Sequence, residues 1–140
     1  MISIQKAQIL DLTKYAETEY PIECCGLLIG RFDQGNIIIE EIIPSQNIAK
    51  GDTRILFEID PQIRINTQRR LRNSPQKIIG HFHSHPDAPP LPSPTDLNMA
   101  IETELIWAIV SVYSGIVNEV KMYGIDISGN SFNEIDYRVY

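Results

Sequence analysis

The run His83-Ser84-His85-Pro86 follows the apolar segment Lys77–Phe82 and precedes Ser93 and Asp96. In an extended strand, side chains alternate between two faces, so residues two apart share a face. His83 and His85 can therefore aim both imidazoles at one point. Asp96, a short loop later, can supply a carboxylate to the same point. Three N/O ligands with a fourth position left to water is how a catalytic zinc is held. The pattern asks for a strand that delivers two histidines and a loop that returns a carboxylate to them, and it points to a metallohydrolase.

His81 lies on the same strand face. Three alternate residues on a straight strand span ~13 Å at ~3.3 Å per residue, whereas zinc needs its nitrogens within ~2.1 Å. Two of the three histidines are thus the expected ligands, and His81 is expected to pack or to act as an outer group. Asp96 has a second explanation. Ser93-Pro94-Thr95-Asp96 reads as a capping box, with Ser93 as the N-cap, Pro94 at the first helical position and Asp96 reaching back. One carboxylate is not expected to serve both roles fully. Beside His83 and His85, ligation is the stronger reading of Asp96.

Hydrolysis also needs a general base that takes a proton from water and passes it to the leaving group. Glu23, Glu40, Glu41, Glu58 and Asp87 are candidates, and local sequence does not choose among them. Glu23 opens an apolar strand, where a charged group needs a reason. Cys24 and Cys25 are the only cysteines. Being adjacent, they do not suggest a disulfide. On a strand one should face the core and one the opposite surface, as buried thiols rather than nucleophiles.

The layout is that of one mixed α/β domain over residues 1–140, with helices against a central sheet. Ile9, Leu12, Ala16 and Tyr20 recur at helical spacing, predicting a helix over about 5–19 that ends before Pro21. Strands are expected over 24–30 and 36–43, joined by the turn Asp33-Gln34-Gly35-Asn36, and over 54–59. Asp60-Pro61 should cap a helix running to about Leu71. The strand at 77–82 carries the histidines. The stretch 87–94 holds four prolines and is a stiff loop. A helix from Asp96 to about Glu104 and strands over 105–113, 117–127 and 132–140 complete the pattern.

Charge and hydropathy narrow the function classes. The net charge of −6, with no basic block, argues against nucleic-acid binding. No apolar stretch approaches the ~20 residues of a membrane span, and the N-terminus lacks a signal-peptide layout. A cytoplasmic protein with reduced thiols is expected.

Together, Glu23, then His83-Ser84-His85, seven residues, Ser93, two residues and Asp96 resemble the signature of the JAMM metalloproteases, whose domain is called MPN. The flanks 21–30, 57–61 and Gly80 are also similar, so the likeness spans nearly the whole chain. It implies a fold similar to that of cytidine deaminases, a curved mixed β-sheet flanked by helices. His83, His85 and Asp96 would bind one Zn2+ per chain. Glu23 would be the general acid/base, and Ser93 would donate to the tetrahedral oxyanion. The implied activity is that of a metallopeptidase or isopeptidase cutting after the C-terminal glycines of a ubiquitin-like or sulfur-carrier protein. Such a tail could bind by strand addition at a sheet edge, with 47–54 and 87–92 as groove walls. Two alternatives are a catalytically silent MPN scaffold, in which Ser93 and Asp96 only cap a helix, and a zinc hydrolase of small amides. Deamination is disfavoured, because the Cys-x-x-Cys ligand pair is missing.

Overall fold

Apolar alternation turns into strands along most of the chain, and the two segments of helical spacing form helices. The computed structural model describes residues 1–94, 96, 105–126 and 131–140. Within them the order is β1 (Ile2–Ile4), α1 (Lys6–Glu19), β2 (Cys25–Asp33), β3 (Asn36–Ser45), α2 (Pro61–Arg70), β4 (Lys77–Pro86), β5 (Ile106–Tyr113), β6 (Ile116–Ile125), β7 (Phe132–Ile135) and β8 (Tyr137–Val139). These strands form one sheet in the order β7-β6-β5-β4-β2-β3-β1-β8. β4 and β5 are parallel, as are β1 with β3 and β1 with β8. The other neighbours are antiparallel, so the sheet is mixed as expected. It curls until it nearly closes: the Tyr137 hydroxyl of β8 donates to the Val120 carbonyl of β6 at 2.9 Å.

α1 packs inside this curl. Leu12 and Ala16 are fully buried there among Leu28, Ile39, Phe82, Val110 and Met122. Each such large apolar side chain contributes about 1.5–3 kcal/mol on burial. Gly26 is required where β2 passes Phe82, because a Cβ would stand 2.3 Å from the Ile43 carbonyl and 2.5 Å from the Phe82 ring. The outer face is covered by α2 over Leu27, Ile29 and Leu71, and by a cluster of Cys25, Phe57, Trp107, Ile109 and Tyr123. Asp60 caps α2, accepting the Gln62 N–H at 2.9 Å, with Pro61 in the first turn. Two hairpins turn through paired positive-φ residues, Gln34-Gly35 and Ser114-Gly115, the backbone that suits a tight turn between twisted strands. No described helix is long and apolar enough to cross a membrane.

Several expectations are corrected. Residues 54–59 are not a strand, and only Ile59 makes a bridge, to Asn47. The amides a ladder would need are used locally. Asp52 accepts the Arg54 N–H through its carboxylate and the Ile55 and Leu56 N–H groups through its carbonyl. The Asn47 side chain takes the Leu56 carbonyl and the Glu58 N–H. The final segment is two strands, because the near-closed sheet offers β7 a place beside β6 and β8 a place beside β1, at opposite edges. β1 was missed, its three residues being too short for a periodic signal. β4 runs on through Pro86, since β5 pairs with it as far as Val112, so the histidines sit inside the strand. Cys24 and Cys25 do face opposite sides, but both are buried, because each face is covered. The helix expected from Asp96 to Glu104 lies beyond Asp96 outside the described residues.

Candidate metal centre and active site

Three elements bring the candidate residues together. β4 pairs with β2 so that His83 stands opposite Cys25, with Glu23 two residues earlier on the same face. Ser84, between the histidines, faces the other way. Its buried hydroxyl accepts the Cys24 N–H at 2.8 Å, and its own N–H donates to the Cys24 carbonyl at 3.1 Å. The Glu23 backbone is fixed on its other side by Thr53 and Asn47. Its N–H donates to the Thr53 carbonyl at 2.7 Å, and its carbonyl accepts from the Asn47 amide at 3.0 Å. The start of β2 is thereby locked to the histidine strand.

The capping box forms as expected. The Ser93 N–H donates to Asp96 Oδ2 at 2.8 Å, and the Asp96 N–H donates to Ser93 Oγ at 3.0 Å. The same carboxylate also reaches the histidines. His83 Nε2 is 3.3 Å from Asp96 Oδ1, His85 Nε2 is 3.2 Å from Asp96 Oδ2, and the two Nε2 atoms are 3.1 Å apart. The expectation that capping and a place beside the histidines compete for Asp96 is therefore corrected. A carboxylate has two oxygens with about four lone-pair sites, enough for both.

Donor chemistry and spacing both fit a divalent ion. A tetrahedral ion bound at ~2.0–2.1 Å spaces its ligand atoms ~3.3 Å apart; the two Nε2 atoms here are 3.1 Å apart, and each lies 3.2–3.3 Å from its own Asp96 oxygen, Oδ2 for His85 and Oδ1 for His83. Glu23 is the second carboxylate at hand, with an oxygen within 4.8 Å of donor atoms on His83 and His85. The histidine pair thus has two carboxylates within reach. His85 Nδ1 lies 3.0 Å from the Pro89 carbonyl. A carbonyl only accepts, so that nitrogen carries a hydrogen, and with an ion present Nε2 would turn its lone pair to it. His83 is fully buried, with Phe57 stacked on it at 4.3 Å and 13°. Its Nδ1 has no hydrogen-bond partner among the described residues. His81 packs edge-on against Trp107, centroids 4.1 Å apart, and its ring centre is 6.4 Å from that of His83 against 4.9 Å between His83 and His85. It is a core residue, as its place on a straight strand suggested.

The electrostatics separate the two carboxylates. Burial pushes Glu23 up to about 8, with His85 opposing and Asp96 adding to the rise. Burial also acts to raise Asp96, but hydrogen bonds from His83, His85 and the Ser93 N–H outweigh it and hold the group well below the usual carboxylate range. Burial lowers His83. It opposes the charge on His85 too, where the bonds to Asp96 and Pro89 prevail and raise it. Burial takes His81 down to about 3 and lifts both cysteines to about 12, so neither thiol is a ready nucleophile.

A cavity of about 160 Å3 opens beside the centre, lined by Glu23, Arg54, Ile55, His85, Pro86, Ala88 and Ser93. Arg54 and Ala88 come from the two segments expected as walls, and Ile55 extends the first. Sequence reasoning missed Ser84, Asn47 and Phe57. Ser84 carried a usable signal, because its strand parity points it into the core, where a hydroxyl needs a partner. The expected edge for strand addition is displaced: the edges are β7 and β8, while β2 and β4 are central. The site is flanked instead by the loops around 47–56 and 87–93.

Fold and site together define a curved mixed-sheet α/β protein that carries a candidate metal centre of two histidines and flanking carboxylates. Comparison with known proteins agrees. The family model for prokaryotic homologues of the JAB domain matches residues 5–123. A desampylase from Haloferax volcanii is 27% identical over 119 residues, 85% of this chain and 79% of the relative. A CysO-cysteine peptidase from Mycobacterium tuberculosis is 25% identical over 114 residues, 81% and 75% of the two chains. A solution structure from Desulfitobacterium hafniense superposes with a TM-score of 0.86 at 27% identity, covering 100% of this chain and 93% of that one. The chain belongs to the family of prokaryotic homologues of the JAB domain, within the JAB/MPN (JAMM) proteins.

Proposed function

We propose that this protein is a zinc-dependent peptidase or isopeptidase that hydrolyses the bond after the C-terminal glycines of a ubiquitin-like or sulfur-carrier protein. The observation that carries the metal reading is the convergence of His83 Nε2 and His85 Nε2, 3.1 Å apart, on the Asp96 carboxylate, whose two oxygens lie 3.3 and 3.2 Å from them. The substrate reading is supported by the relatives, a desampylase and a CysO-cysteine peptidase. The small volume of the cavity, about 160 Å3, also suits a small-residue tail. Two buried free cysteines suit a reducing compartment, and we place the enzyme in the cytoplasm.

In this reading His83, His85 and Asp96 hold the ion, because Asp96 is the carboxylate kept ionised. When bound, zinc supplies Lewis acidity that makes water nucleophilic at neutral pH and polarises a carbonyl. Glu23 takes the proton of the attacking water on its carboxylate and delivers it to the departing nitrogen. Burial favours its protonated form, and positive charge at the centre favours its ionised form, so both are accessible near neutrality. Ser93 would stabilise the oxyanion. Its oxygen already accepts the Asp96 N–H, which leaves the hydroxyl hydrogen for a developing negative charge in the cavity.

The silent-scaffold alternative loses its main support, since capping by Ser93 and Asp96 leaves both carboxylate oxygens beside the histidines. The test is zinc per chain in wild type and Asp96→Ala under the same metal-limited conditions, followed by mass-spectrometric assay on ubiquitin-like proteins carrying a C-terminal extension. Near one zinc in the wild type, lost in the variant, with a product ending at glycine, is expected. A wild type that takes up no zinc on reconstitution would return the scaffold reading. Zinc uptake with turnover of small amides but of no protein tail would favour the small-amide hydrolase.

A further inference from the structure

The loop that joins His85 to Ser93 has an unusual bonding pattern. Pro86, Pro89, Pro90 and Pro92 lack N–H groups, so this segment cannot tie itself down as an ordinary loop does. Its carbonyls are held from outside instead, on three consecutive residues. Ser111 Oγ donates to the Ala88 carbonyl at 2.6 Å, His85 Nδ1 to the Pro89 carbonyl at 3.0 Å, and Tyr123 Oη to the Pro90 carbonyl at 2.6 Å. The Leu91 N–H also reaches the Pro89 carbonyl, at 2.8 Å. The loop's entry is fixed as well. Asp87, in a left-handed conformation, donates its N–H to Val112 at 2.6 Å and accepts from the Tyr20 hydroxyl at 2.6 Å and the Ser114 N–H at 3.0 Å.

Ser111 and Tyr123 come from the sheet itself. Ser111 stands opposite His85 in the β4–β5 ladder and is fully buried. Tyr123 is buried in β6 with its ring against Phe132. The middle carbonyl, that of Pro89, orients His85, and it sits between two carbonyls pinned by these rigid strands. We propose that Ser111 and Tyr123 are positioning residues for the metal centre: by fixing the carbonyls of Ala88 and Pro90 they aim the Pro89 carbonyl at His85 Nδ1, which keeps a hydrogen on that nitrogen, orients the ring and directs Nε2. This rests on the metal reading above for its effect on affinity, but its effect on the His85 ring stands apart from any metal. Outer partners of a ligating histidine are typically worth 10–100-fold in metal affinity.

The test uses Tyr123→Phe, which keeps the ring and removes the hydroxyl, and Ser111→Ala, each in the full chain. Three quantities are read: the 15N shifts of the His85 ring in the metal-free protein, the Zn2+ affinity by chelator competition, and the melting temperature. In the wild type the shifts should report a hydrogen-bonded Nδ1–H. In each variant the Nδ1 signal should lose that hydrogen-bonded character, with Zn2+ affinity ~10-fold weaker. A variant that melts lower but keeps the wild-type His85 shifts, and Zn2+ affinity within about twofold, would make the loop bonds structural only and overturn the proposal. A wild type with the hydrogen-bonded Nδ1–H but no Zn2+ binding would instead remove the metal reading, and the variant shifts would still decide the positioning role. Should one variant fail to fold, the other carries the same readouts.

Discussion

Replacing Glu23 by Gln should make the metal-free protein more stable and the loaded enzyme nearly inactive. Glu23 is 3% exposed, and burial lifts it from an ordinary 4.5 to about 8. Between those values the folded chain holds a proton that the unfolded chain has released. The folded state therefore binds more protons, and stability falls as pH rises through that window. The cost attached to Glu23 is under ~1 kcal/mol at pH 5 and about 3 kcal/mol at pH 7, a change of about 2.5 kcal/mol from one group. Glutamine does not titrate, so the variant escapes this cost. Urea unfolding of metal-free wild type and variant at both pH values measures it, because the difference between the two proteins cancels the titrating groups that do not interact with Glu23, leaving Glu23 and its coupling to His85 and Asp96. The variant's advantage should grow by about 2.5 kcal/mol from pH 5 to pH 7, while cleavage falls ~10²–10⁴-fold with loss of the general base. An advantage unchanged between the two pH values would show that Glu23 is solvated in the folded state. It would also remove the basis for assigning it, rather than Asp96, the proton transfers.

Asp96→Asn keeps an oxygen for the Ser93 N–H but loses the charge, so it should lose zinc while melting within a few degrees of the metal-free wild type. Asp96→Ala should lose zinc and also about 1 kcal/mol of capping stability, read by metal-free thermal melts. Ser84→Ala leaves the buried Cys24 N–H without its acceptor and should cost about 1–3 kcal/mol in urea unfolding, with a fall in kcat because Glu23 is no longer anchored. Gly26→Ala drives a Cβ against the Ile43 carbonyl and the Phe82 ring. It should destabilise by about 1–3 kcal/mol or more, or fail to express in soluble form.

The site was legible in the sequence because its parts are local or follow strict parity. His83 and His85 are two apart on a strand, and Ser93 and Asp96 are three apart at a helix start. Each relation follows from backbone geometry alone. Glu23 was different. It is far from the histidines in sequence, and only the pairing of Cys25 with His83 brings it near. Local reasoning left it among five carboxylates, and the family likeness was needed to choose it. The same limit explains the misread stretch at 54–59, whose β-like composition is overruled by the side chains of Asp52 and Asn47 capturing its backbone. It also explains the last segment, where a break at Asp136 sends two short strands to opposite edges. A sequence announces a strand, but the neighbour it takes depends on how far the sheet has already curled.

The division of β4 between its two faces makes activity a question of odd and even. Odd positions 81, 83 and 85 face the side of the candidate metal centre, and even positions 82 and 84 face the other way, Phe82 against Tyr15 of α1 and Ser84 onto the Cys24 backbone. A slip of β4 by one residue against β2 would move Phe82 and Ser84 to where the imidazoles belong and bury the histidines against the inner helix. The irregularity in the β2–β4 ladder, between Leu28 and Ile29, falls on the far side of Gly80 and leaves the pairs from Cys25↔His83 to Leu28↔Gly80 in unbroken step. A chain in this fold is therefore either in phase or inert. Catalytic turnover would count correctly paired molecules, a measure of folding fidelity that circular dichroism, blind to a one-residue shift, cannot provide.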